Sequence, residues 1–97
     1  MVQKVKVNSS VELYDNKNDG QRVYDIESDV HISGDKVNST DGGTVYKGEV
    51  QVAQFNSWDN HLNVTYMGDG MDEQIGINEA VNAFIGEVKE LVESEKA

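Results

Sequence analysis

The sequence has no cysteine and no proline. The first absence excludes a disulfide scaffold, a thiolate zinc module and a cysteine nucleophile. The second excludes a Pro-rich linker and a collagen-like repeat. Positive charge is also scarce. Eight Lys and Arg stand against 18 Asp and Glu, giving a formal net charge of -10 over 97 residues. Such a chain is not expected to bind nucleic acid directly or to bind an anionic membrane, because both need Lys and Arg. Arg22 is the sole arginine, so a bidentate phosphate clamp is not expected either. Long apolar runs are missing, and none approaches the roughly 20 residues that span a bilayer. The opening residues 1–8 hold no apolar stretch with a cleavage site, so the expected location is cytoplasmic. The triplets at Asn8, Asn38 and Asn63 then read as turn and strand residues rather than glycan acceptors.

Apolar residues make up 37% of the chain, below the usual share of roughly 45–50%. Val, Ile, Leu and Phe number 14, 5, 3 and 2, which keeps the chain above the roughly 20% level associated with disorder. Val and Ile together far outnumber Leu, and β-branched side chains fit a pleated surface better than a helix. The core is therefore expected to be mostly sheet, within one domain spanning residues 1–97. A chain of this size buries about 60–65% of its unfolded surface, and self-repulsion weakens it further. Both facts point toward a stabilising partner, a second copy included.

Alternation identifies the strands. Val5, Val7, Val11 and Leu13 share one parity, which predicts a first strand with that set inward. The cluster Asp15–Gly20 is a turn, and Tyr24, Ile26, Ser28, Val30 and Ile32 mark a second strand. Residues 33–43 are polar and glycine-rich and predict a flexible loop. A third strand runs over 45–55, with Tyr46, Val50 and Val52 on one face, Val45 and Phe55 on the other, and a bulge or a close backbone contact at Gly48. Residues 56–60 turn into a fourth strand, His61–Met67, with Leu62, Val64 and Tyr66 inward. The period then changes to that of a helix: Ile77, Val81, Phe84, Ile85, Val88, Leu91 and Val92 form one stripe ending near Ser94. Asp72 and Glu73 suit its first turn. The expected fold is α+β: a four-stranded antiparallel β-meander with one C-terminal α-helix packed on one face, in ββββα order.

Width bears on partners. Four strands span roughly 15–19 Å, whereas a helix with side chains is about 10–12 Å across. Either the sheet curls around the helix or an apolar strip stays uncovered and becomes an interface. A homodimer through that strip, or through a sheet edge, is the expectation.

Motifs for chemistry are weak. Asp15–Gly20 resembles the start of a calcium loop, but Lys17 and Ile26 occupy positions that need oxygen ligands. Asp69, Asp72, Glu73 and Glu79 gather near the helix start, where capping explains the first three without a metal. His31 and His61 each lie two residues from an aspartate, Asp29 and Asp59, yet no motif supplies a nucleophile. Gly42-Gly43-Thr44 lacks the spacing of a phosphate loop. No catalytic, cofactor-binding or metal-ligating residue is therefore assigned. Charge is lopsided: residues 49–97 hold 2 bases and 10 acids. Glu79, Glu87, Glu90 and Glu93 fall off the apolar stripe and form an acidic ridge, while Phe55 and Trp58 flank a turn as candidate anchors. The sequence thus suggests a non-enzymatic protein-interaction module, binding a protein partner or itself through these six residues. The alternative is an acidic mimic of nucleic acid that blocks a basic nucleic-acid-binding protein.

Overall fold

A computed structural model of the chain describes residues 2–8, 11–17, 23–34, 36–68 and 70–96. Its elements are β1 (Gln3–Asn8), β2 (Val11–Asp15), β3 (Asp25–Ser33), β4 (Lys36–Lys47), β5 (Val50–Trp58), β6 (His61–Tyr66) and α1 (Met71–Lys96). All neighbours pair antiparallel, in the order β1-β2-β3-β4-β5-β6. The α+β class, the meander and the C-terminal helix stand as expected from the sequence. The strand count does not: the described residues form six strands, not four.

The two extra strands come from two hairpins hidden inside single periodic runs. Residues 5–13, expected as one strand, are β1 and β2, joined where Asn8 pairs with Val11. The expected strand 45–55 is the junction of β4 and β5, and the expected loop 33–43 is mostly β4 itself. Lys47 pairs with Val50 across Gly48-Glu49, and Gly48 has φ 66°. A left-handed first loop residue suits a two-residue turn whose twist matches the flanking strands. Gly48 is therefore a turn glycine rather than a bulge. The cluster at Asp15–Gly20 is described only as far as Lys17; Asn18–Gly20, Arg22 and Asp69 lie outside the described residues.

The first strand's face is also reversed. Val5 is the extra residue of a bulge between Lys4 and Lys6 and is 51% exposed. Glu12 and Tyr14 take the buried face instead, with Val11 and Leu13 only half-buried. The carboxylate survives there because it is partnered. The Tyr14 hydroxyl donates to Glu12 Oε1 at 2.7 Å, and Lys4 Nζ lies 3.6 Å from Oε2.

The core lies between the sheet and α1. Tyr14, Tyr24, Ile26, Val30, Val45, Val52, Ala53 and Phe55 meet Ile77, Val81, Phe84, Ile85, Val88 and Val92. The predicted helical stripe is the buried stripe, and α1 lies mainly over β4. Asp72 and Glu73 occupy the first helical turn, as the dipole favours. Lys47 Nζ, at the end of β4, sits 3.0 Å from Glu73 Oε1. Its hydrogen bond, with a second from Tyr24, holds the Glu73 carboxyl below its ordinary value.

Candidate functional site

Strand β6 is one edge of the sheet and β1 the other. The two edges differ in chemistry. The β1 edge carries Lys4 and Lys6 and is kinked by the bulge at Val5. Charge and bulges are how natural sheets prevent edge-to-edge pairing. The β6 edge has neither. Its pairing with β5 runs without a register shift from Trp58↔His61 to Ala53↔Tyr66. Residues 60–68 contain no Asp, Glu, Lys or Arg.

Pairing geometry shows which backbone groups are open. In an antiparallel ladder, alternate residues turn both N–H and C=O toward the neighbour. The Met67 N–H donates to Val52 O, which continues the β5–β6 ladder. Odd-numbered residues of β6 therefore face β5, and Leu62, Val64 and Tyr66 turn their backbone groups outward. The side chains of these same three residues lie on the helix side of the sheet, half-buried against the core.

Beyond them the cover thins. Met67, Met71 and Ile75 are exposed large apolar side chains, the last two 74% and 52% accessible. Tyr66, Met71, Gln74, Ile75, Asn78 and Glu79 line a shallow depression between β6 and the start of α1, so one carboxylate borders it. Asn78 Nδ2 donates to the Tyr66 hydroxyl at 3.3 Å, which fixes the ring beside the helix. Met67, Met71 and Ile75 thus form an exposed apolar patch beside β6, contributed largely by the helix rather than by bare sheet face. At the opposite flank Val2 is buried beside Leu91 near the end of the helix.

At the far end of β6 a cleft of about 330 Å³ opens between the β5–β6 turn and the helix. Val37, Leu62 and Ile85 contribute apolar lining, with Trp58, His61 and Lys89 at its sides. Trp58 is 49% exposed, and its ring lies 6.0 Å from that of His61 at 40°. The anchor residue proposed from sequence thus keeps about half of its surface open to solvent. Phe55 is not: it is 3% exposed and edge-on to Phe84 at 6.2 Å, so its surface is spent on packing.

Glu79, Glu87, Glu90 and Glu93 are all exposed on α1, with Lys89 among them. His31 and Asp29 lie on the outer sheet face beside Val11 and Leu13, and neither histidine is joined to its aspartate by a hydrogen bond among the described residues. Also among those residues, no group of three or more His, Asp or Glu is placed to hold a metal ion. No described helix is long and apolar enough to cross a membrane. A sheet edge was already expected as a contact, and the meander already placed His61–Met67 last; what the sequence reading passed over is the uncharged run 60–68 along that edge. No protein-family model, curated protein or solved structure matches the chain.

Proposed function

We propose that this protein is a non-enzymatic interaction module whose contact surface is the β6 side of the sheet. The observation that carries this reading is the contrast between the edges: β1 is interrupted by a bulge at Val5, β6 is regular and uncharged over residues 60–68, with Met71 and Ile75 exposed beside it. An edge of this kind adds a strand from a partner, main-chain hydrogen bonds giving affinity and flanking side chains specificity. Trp58 extends the same surface at its far end. Capture on the immobilised chain tests the reading. Val64→Lys should abolish retention of the partner, because an edge lysine blocks strand addition. Neutralising Glu87, Glu90 and Glu93 to Gln should leave retention intact.

One observation favours the acidic mimic as a second reading: all four ridge glutamates face solvent on a single helix. In that case the pattern reverses. The Gln variant loses the partner, Val64→Lys keeps it, and binding weakens steeply with added salt.

A further inference from the structure

We infer that the partner seated on β6 is a second copy of the chain, paired antiparallel through Val64 about a twofold axis normal to the sheet. This rests on the β6 reading above and specifies its occupant and register.

Charge selects the copy. Two chains of net -10 repel, so contact is favoured where carboxylates are fewest; residues 60–68 carry none along the open edge, and Glu79 is the one carboxylate lining the depression beside Met71 and Ile75. The helix ridge and the outer row Asp25, Glu27 and Asp29 would bring like charges together.

Symmetry then fixes the register. A twofold pair uses the same patch on both partners. For two identical edges, the axis must stand normal to the sheet, which keeps both helices on one face. Directly opposed residues share a face, so each residue must oppose one of its own parity. The outward backbone groups belong to Leu62, Val64 and Tyr66. Centring on Val64 sets it opposite its own copy and Leu62 opposite the copy's Tyr66. All three outward-facing residues then find backbone partners. Asn63 opposes the copy's Thr65 on the outer face, as a non-hydrogen-bonded pair. Met71 and Ile75 border the seam and add apolar contact. A six-residue edge alone falls short of the about 1,200 Å² typical of stable complexes, so the dimer is reversible.

The register is tested in the cysteine-free background. Asn63→Cys and Thr65→Cys chains are purified separately, mixed and oxidised. In the stated register, position 63 faces position 65 with β-carbons about 4.5–5.5 Å apart, within reach of a disulfide after slight adjustment. Like positions are about 7–8 Å apart on the diagonal. The expected product is a mixed covalent dimer, with little from either variant alone. Sedimentation of the wild-type chain from about 10 to about 500 µM should show reversible dimerisation. Val64→Lys opposes two lysines and should lower the association constant at least about tenfold. A wild-type monomer throughout that range overturns the inference, as do crosslinks within single variants or a dimer indifferent to Val64→Lys. If the wild type is monomeric yet its captured partner is still lost on Val64→Lys, only the second copy fails and the module reading stands.

Discussion

Two glycines with opposite surroundings show how individual residues set stability. A β-carbon at Gly43 would lie 2.6 Å from three ring atoms of Phe55, and that ring is itself held edge-on by Phe84. Gly43→Ala should therefore destabilise by about 1–3 kcal/mol through overpacking. Gly86 sits exposed within α1, and a β-carbon there would meet nothing within 4 Å. Gly86→Ala should stabilise by about 1 kcal/mol, because glycine in a helix interior carries an entropic penalty. Urea unfolding checks both: the midpoint should fall for the first and rise for the second, with slopes unchanged. Asn16 shows a third kind of contribution. Its side chain accepts from the Ile26 N–H at 2.8 Å and donates to Tyr24 O at 3.1 Å, so it extends the β2–β3 ladder past the strand's end. Composition marks Asn16 as a turn residue, but only coordinates show that its amide replaces a strand residue.

The elements were legible wherever the period was unbroken. β3, β6 and α1 were readable from the sequence because Ile26 and Val30, Leu62 and Val64, and Ile77 through Val92 keep strict periods. β4 and β5 were not, because bulges break theirs. Thr40 and Gly43 oppose Ser57 and Phe55, so β4 carries an extra residue near Gly42, whose φ is 60°. Val45 and Tyr46 oppose Ala53 and Gln51, which makes Val52 extra and buries Val52 and Ala53 in succession. A bulge moves every later side chain to the other face, so parity counted along the sequence fails at each one. The β5–β6 turn is a stricter case. Asp59 and Asn60 have φ of 46° and 65°, the type I′ geometry in which Gly is favoured at the second position. Asn60→Gly should raise the thermal midpoint, read by circular dichroism. One ion pair between α1 and β4 titrates in the acid range. Glu73 titrates below its ordinary 4.5 because Lys47 hydrogen-bonds the ionised form. That contribution is complete above 4.5 and is lost as pH falls through the lowered value. Lys47→Met should therefore lower stability above pH 4.5 by the worth of one exposed ion pair, and the difference from wild type should vanish as pH falls below the lowered value, read by urea unfolding across a pH series.

For the molecule as a whole, charge and shape act in opposite directions. The sheet and helix bury a continuous core, but a net charge of -10 on so small a body opposes compaction. Half of the chain bears most of it: residues 49–97 hold 10 acids, including the helix ridge, yet β6, in that same half, carries none. A neutral edge within the most acidic region concentrates association in one place. Screening therefore strengthens folding and self-pairing together. Raising ionic strength from about 10 mM to about 500 mM shortens the Debye length from about 30 Å to a few ångströms. The thermal midpoint should rise over that range, and the wild-type dimer should tighten, since like-charged chains approach at lower cost. Binding to a basic partner has the opposite sign, because screening removes the attraction that drives it. Sedimentation and a partner-binding titration, each run across the same salt series, therefore separate the two functional readings by sign alone. Dimerisation that weakens as salt rises would place carboxylates and lysines in the seam and contradict an uncharged β6 contact.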